Sequence, residues 1–385
     1  MSESELKEFA DSVRALLGKH AQPAAVRAAM DTDLGYDPAL WRLLCEQIGV
    51  AALAIPEEYG GIGASLVESL LVVGELGRTL AGVPMLGSAV LGAQALLLSG
   101  DDEACARLLP EVAEGGRTLA VCWAGARGWD EPGVRARGES LSGTAHYVLD
   151  AAGAGTLIVV TAEGLFEVAA DAEGVARRVV PTLDPTRKLA EVTFTEVPAR
   201  RLGTVDPAPV IARLREVAWA AVAAEQVGAA QRCLEMTVEY TKSRVQFGRP
   251  IGSFQALKHR MADMYVLVES AKSASRLATE SVATGAESAA EDVWVARAQC
   301  SRAFTDVVAE TVQMHGGIAI TWEHDAHLFF KRAHGDAQLF GPARRPLPLT
   351  AFPRNGPDLH RRPPGEPARR GLRRLEWDIS REIYS

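Results

Sequence analysis

This chain of 385 residues has no cysteine pair at metal-binding spacing, no surplus of basic charge and no long apolar run. Its five cysteines, Cys45, Cys105, Cys122, Cys233 and Cys300, are odd in number and contain no C-x-x-C. That excludes a zinc ribbon and a disulfide framework, and the thiols read as free in a reducing compartment. The net charge of −8 gives no electrostatic footprint for nucleic acid. The most apolar early stretch, Ser69–Gly74, is far too short to cross a bilayer. The start, Met-Ser-Glu-Ser-Glu-Leu-Lys-Glu, is acidic and amphipathic rather than a signal peptide. A cytoplasmic protein with neither nucleic acid nor membrane as partner is the expectation.

What is present is a chain 48% hydrophobic and 23% charged, large enough for more than one core. Its character changes three times. Residues 1–118 read as helices, with apolar positions at helical spacing in Leu6–Leu17, Pro38–Ile48, Val67–Leu80 and Ala89–Leu98. Residues 119–206 hold short runs, most rich in β-branched residues and separated by Gly, Asp and Pro. These are Leu119–Trp123, Leu141–Leu149, Thr156–Thr161, Leu165–Val168 and Glu191–Thr195, read as strands of a small barrel or sandwich. Residues 207–341 return to the helical period in Ala218–Ser243, Phe254–Thr284 and Ala290–Met314, long enough for an antiparallel bundle. Residues 342–385 carry eight of the 20 prolines, many arginines and only three alanines, which argues against a packed helix and reads as an atypical tail. The fold class is therefore α+β: an N-terminal helical domain, a central β domain and a C-terminal four-helix bundle.

The most informative stretch is Tyr240-Thr-Lys-Ser-Arg244-Val-Gln-Phe247-Gly248-Arg-Pro250-Ile-Gly-Ser-Phe254-Gln255-Ala-Leu-Lys258. A helix runs into Arg244, Pro250 cannot continue it, and a second helix starts near Gln255. Arg244, Phe247 and Gln255 gather at that corner, where an arginine, an aromatic face and an amide suit the diphosphate and adenine end of a nucleotide. A second signature follows at Gln313-Met-His-Gly316-Gly317-Ile-Ala-Ile-Thr-Trp322-Glu323-His324-Asp325. Together, and with the Pro56-Glu-Glu-Tyr-Gly60-Gly61 turn, these runs resemble the acyl-CoA dehydrogenase family over roughly residues 1–341. That resemblance implies FAD-dependent α,β-dehydrogenation of acyl-CoA thioesters. It also implies the order helical domain, β domain, helical bundle, and assigns FAD binding to Arg244, Phe247, Gln255, Gln313, Gly316 and Gly317.

Against the family pattern, the catalytic residues are missing. In the family a glutamate removes the thioester α-proton, a step that needs a base because that proton is weakly acidic. One family position for it falls here near Gly341, in Ala337-Gln-Leu-Phe-Gly-Pro342, which has no carboxylate. The other falls at Ala218, with Trp219 beside it in place of the usual arginine. Glu225 lies seven residues on, about 10 Å along the same helix face at about 1.5 Å per residue, and is the one weak catalytic candidate. Asp336 matches neither position. The family's first flavin strand has a T-E-x-x-x-G-S-D-like loop. This chain has Ala120-Val-Cys-Trp123-Ala-Gly-Ala-Arg-Gly-Trp129. Its counterpart of the second flavin strand, Tyr147-Val148-Leu149, lacks the usual hydroxyl, and an apolar side chain cannot return that hydrogen bond.

In the family the flavin ring rests on one subunit while the ADP end crosses to its neighbour. The residues kept here match the half that serves the neighbour. The expectation is a non-catalytic subunit of a heteromeric dehydrogenase, sharing FAD with a homologous subunit that binds most of the acyl-CoA. Two alternatives stand beside it: a homo-oligomeric flavoenzyme with a displaced base, and a flavin-free scaffold of the same fold.

Overall fold

A computed structural model describes residues 2–342. The N-terminal part is helical: α1 (Glu3–His20), α2 (Pro23–Met30), α3 (Pro38–Ile48), α4 (Leu66–Thr79), a π-helical segment Met85–Gly92 running straight into α5 (Ala93–Ser99), and α6 (Asp102–Ala113). The starts are written in the sequence. Ser2 and Ser65 each close a capping box, with Glu5 and Glu68 three residues on, and Asp37 and Asp101 accept from the backbone N–H of Ala39 and Ala104. The stretch Ala89–Leu98, expected as one helix, is instead wide-turned over its first residues. Gly87 and Gly92 lie in that segment because it presses on the β region: a Cβ at Gly92 would sit 2.6 Å from the Leu119 side chain.

Two four-stranded sheets follow. The first has the order β1 (Leu119–Cys122), β6 (Thr156–Val160), β7 (Leu165–Ala169), β10 (Arg200–Leu202), with β1 and β6 parallel. The second has the order β4 (Val134–Arg137), β5 (Ser140–Leu149), β9 (Leu189–Pro198), β8 (Val175–Val180). The short ribbon β2 (Ala124–Gly125) and β3 (Gly128–Pro132) joins them. Every residue of β6 is buried. Leu157 and Val159 enter the core between the sheets, while Ile158 and Val160 join the core of the helices, so one strand serves both by its alternation.

The third part is built from α7 (Pro207–Ser243), a small hairpin of β11 (Val245–Gln246) and β12 (Arg249–Pro250), α8 (Gln255–Thr284), α9 (Ala289–His315) and α10 (Ala326–Asp336). Helix α7 starts eleven residues before the expected Ala218, at an Asp206 cap followed by Pro207 as its first residue. The small-residue stretch Ala220–Gly228 meets α4 of the same chain. A Cβ on Gly228 would lie 1.9 Å from the Gly74 carbonyl oxygen, and one on Gly77 would lie 2.3 Å from that of Glu225. No larger residue fits at either crossing point.

All five cysteines are buried free thiols. No described helix is long and apolar enough to cross a membrane. The tail expected over 342–385 lies, from residue 343 on, outside the described residues.

Candidate functional site

The corner after α7 is a β-hairpin rather than a simple helix-to-helix turn. Arg244 leaves the helix in extended conformation while its N–H still donates to the Tyr240 carbonyl at 2.9 Å. Val245 pairs with Pro250 and Gln246 with Arg249. Phe247 and Gly248 form the two-residue loop, both at positive φ (52° and 75°). A two-residue hairpin loop of this kind demands that conformation at both positions. Glycine adopts it freely, but a phenylalanine does so at a cost. The Phe247 ring is 91% exposed and meets Phe254 only edge-on, at 6.1 Å between centroids. The Arg249 guanidinium sits over Phe254 at 4.1 Å. Gln255 opens α8, exposed, with its Nε2 2.9 Å from His259 Nε2. Among the described residues no carboxylate pairs with the Arg244 guanidinium. Neighbouring Glu239 turns to Arg232 instead, at 3.5 Å.

The second motif is pinned to the same end of the bundle. His315 stacks on Tyr240 with centroids 4.3 Å apart, and the Tyr240 hydroxyl donates to the His315 carbonyl at 3.3 Å. The other side of His315 meets His324 at 4.5 Å. Its Nδ1–H donates to the Thr311 carbonyl at 2.7 Å, and burial pushes the ring below the usual histidine range. Both partners of this clamp lie inside the two motifs, yet their spacing alone gives no sign that they touch. Gly316 follows at φ 65°, ψ −145°, a region only glycine uses freely. A Cβ at Gly316 or Gly317 would meet nothing within 4 Å. Packing within the chain therefore does not call for a glycine at 317, and its backbone is bare. Arg244, Phe247, Gln255, Gln313, Gly316 and Gly317 are all exposed. One unpaired cation, exposed amides, an aromatic face and open backbone suit a phosphate-bearing nucleotide laid across them.

The two positions where the family sets its base meet elsewhere. Ala218 is fully buried on α7, and the indole N–H of Trp219 donates to the Phe340 carbonyl at 3.0 Å, one residue before Gly341. Around that contact the aromatic rings collect. Phe340 lies 4.8 Å from Trp129 and 5.8 Å from Trp123, and Trp129 lies 5.8 Å from Tyr147. The Trp123 indole N–H and an Arg215 guanidinium N–H both donate to the Trp129 carbonyl, at 3.1 and 2.6 Å. Asp130, on the same strand, pairs with Arg215 at 3.0 Å and points into solvent. Tyr147 sits in a bulge of β5 at φ 56°, and Phe340 at φ 59°. The residues that stand where the flavin strands would be are thus packed on one another.

Glu225 is 5% exposed and held by two arginines. Its Oε1 accepts from Arg187 and from Arg332, each at 2.5 Å. Arg187 also bonds Asp336, and Arg332 also bonds Asp184 and the Thr186 hydroxyl. Arg297, buried on α9, donates to the carbonyls of Asp336 (2.5 Å) and Leu339 (2.9 Å). Burial lowers the Arg297 guanidinium to about 10 and raises the Asp336 carboxyl to about 7. Asp336 Oδ2 has no partner among the described residues. Asp150 is likewise raised to about 7 by burial, although Arg187 opposes the rise. The cavity beside Glu225, between Tyr36, Met85, Asp150 and Arg187, holds about 50 Å³, room for a water or two and not for an acyl group. The sequence marks Glu225 as a candidate but gives no sign of Arg187 or Arg332 as its partners.

Residues 3–116 match the acyl-CoA dehydrogenase N-terminal domain, and residues 214–343 match the acyl-CoA dehydrogenase C-terminal domain. The chain belongs to the acyl-CoA dehydrogenase family. It is 45% identical over 339 residues to acyl-CoA dehydrogenase IpdE2 of Mycolicibacterium smegmatis, covering 88% of this chain and 94% of that one. Two solved structures share the fold at a TM-score of 0.80. The ChsE4–ChsE5 complex from Mycobacterium tuberculosis is 30% identical, covering 89% of this chain and 95% of that one. A variant of the Tcur3481–Tcur3483 steroid ACAD is 32% identical, covering 88% and 94%. Acyl-CoA dehydrogenases are FAD-dependent flavoproteins.

Proposed function

We propose that this chain is the non-catalytic subunit of a heteromeric, FAD-dependent acyl-CoA dehydrogenase. It donates the ADP-binding half of the cofactor site to a homologous partner, which binds most of the acyl-CoA. The contrast between the two halves carries this reading. Arg244, Phe247, Gln255, Gln313, Gly316 and Gly317 stand exposed at one end of the bundle. The meeting point of the two base positions, Trp219 against Phe340, holds aromatic rings and backbone. When bound, FAD supplies a hydride acceptor for the thioester β-carbon. The coupled removal of the α-proton needs a base, and this chain sets no carboxylate at either mapped position. Glu225 is a poor substitute, since it is buried with its carboxylate engaged by the guanidiniums of Arg187 and Arg332. A relative solved as a ChsE4–ChsE5 complex favours a pairing of two different chains.

Visible spectra test the reading. The chain expressed alone is expected to be colourless, and yellow when co-expressed with the product of a neighbouring dehydrogenase-like gene. A yellow, active protein from this chain alone would support the homo-oligomeric flavoenzyme instead. Absence of flavin in both preparations would support a flavin-free scaffold.

A further inference from the structure

A second cavity, of about 210 Å³, lies where the α1–α2 turn meets α4, α7 and α10. Its walls are apolar, with Leu17, Val26, Leu80, Met236, Leu328 and Phe329 among them. For scale, an apolar cavity of about 150 Å³ takes up benzene. Three arginines from three helices also line it: Arg27, Arg78 and Arg232.

Their hydrogen-bonding capacity is not used up. Arg78 is matched by Glu235 at 2.6 Å, with Glu75 at 3.6 Å. Arg27 gives Nη1 to Asp325 at 2.5 Å, but its Nε and Nη2 are shut off from solvent with no partner among the described residues. Arg232 has only Glu239 at 3.5 Å and Glu235 at 3.9 Å, both longer than a good charged hydrogen bond. Arg232, partly exposed, is the guanidinium with donors to spare for an acceptor in the cavity. An apolar chamber with surplus guanidinium donors at its wall suits a molecule with a greasy body and an anionic head.

We propose that this cavity binds a short amphipathic carboxylate, its tail among Leu80, Met236 and Phe329 and its head at the loosely paired guanidinium of Arg232. The proposal does not depend on the subunit reading. Asp325, which holds Arg27 at the wall, is also the last residue of the motif that begins at Gln313.

Octanoate is the probe, titrated into the full chain by calorimetry below its micelle concentration. Octanol serves as the neutral-headed control and acetate as the tail-less one. Saturable binding of octanoate alone is expected. Arg232→Gln, a half-exposed position, should weaken it roughly tenfold or more while leaving the circular dichroism unchanged. Met236→Phe, which narrows the chamber without altering charge, should also weaken it. No saturable octanoate binding would overturn the proposal, as would equal binding of octanol or unchanged affinity in both variants.

Discussion

Trp219 donates its indole N–H to the carbonyl of Phe340 at 3.0 Å. These two residues adjoin Ala218 and Gly341, the two places from which an acyl-CoA dehydrogenase can deliver its base. Trp219 and Phe340 are 121 residues apart in sequence, yet the two base positions beside them border one volume, and here aromatic rings fill it. Losing the base at one position would leave the other free to replace it. Here a single contact takes up both.

The purified chain alone is expected not to dehydrogenate acyl-CoA with a ferrocenium acceptor. General-base catalysis is worth about 10²–10⁴-fold, so weak residual turnover would not count against this. Robust turnover, abolished by Glu225→Gln, would. Gly341→Glu should not create activity. Position 341 is at φ 88°, which strains any side chain, and the new Cβ would lie 3.9 Å from the Trp129 ring.

Glu225→Gln is expected to act on stability. Arg187 and Arg332 would each lose one of two carboxylate partners, keeping Asp336 and Asp184, so the cost should stay below the about 3–5 kcal/mol of fully breaking a buried pair. The urea midpoint should fall accordingly, with the slope of the transition unchanged. A midpoint within experimental error of the parent would show the network to be energetically idle.

Much of this fold is legible from periodicity and caps. The strand runs at Leu119, Leu141, Thr156 and Leu165 and the helices at Pro38, Phe254 and Ala290 all emerge within a residue or two of their expected bounds. The strands missed are β2, β3, β4, β8, β10, β11 and β12: five have four residues or fewer, β4 alternates over only four positions, and β3 and β8 are mostly exposed or half-buried and carry charges. The start of α7 was set too late because its first turns are half-polar, and Pro207 reads as a break unless Asp206 is recognised as the cap. The candidate nucleotide residues could be named from two motifs. Their common end of the bundle depends on the Tyr240–His315 stack, a contact between residues 75 apart that no local pattern encodes. The same holds for Arg187, whose loop carries no signal that it reaches Glu225 and Asp336.

Asp336 should make stability fall as pH rises. Its folded pKa is about 7, pushed up by burial, against the ordinary carboxylate value when unfolded. Between about pH 4 and 7 the unfolded chain has released this proton while the native chain keeps it, so raising the pH favours unfolding. Asp336→Asn does not titrate. The variant should therefore gain on the parent between about pH 5 and 8, compared by urea unfolding. His315, His324 and His327 have lowered values and work the other way, losing stability as pH falls below the ordinary histidine range. They are common to both proteins and cancel in the difference. A variant that loses ground as pH rises would show Asp336 to be an anion held by Arg187.

Arg244→Ala is the sharpest test of the donated half-site. The side chain is exposed, and among the described residues it forms no ion pair, so its loss should leave the fold and its melting temperature unchanged. What holds Arg244 in place is backbone: its N–H on Tyr240 and its carbonyl accepting from Ile251 at 2.8 Å, both of which survive in alanine. A charged hydrogen bond to a diphosphate contributes about 1.5–3 kcal/mol, or roughly ten- to a hundred-fold in affinity. The co-expressed complex carrying Arg244→Ala should therefore assemble normally and shed FAD on gel filtration, read as loss of the flavin absorbance per mole of complex. Added FAD at high concentration should restore the colour, because the remaining groups at Gln313 and Gly317 are untouched. Full flavin occupancy in the variant would mean that Arg244 never faces the cofactor, and the shared-site reading would lose its main support.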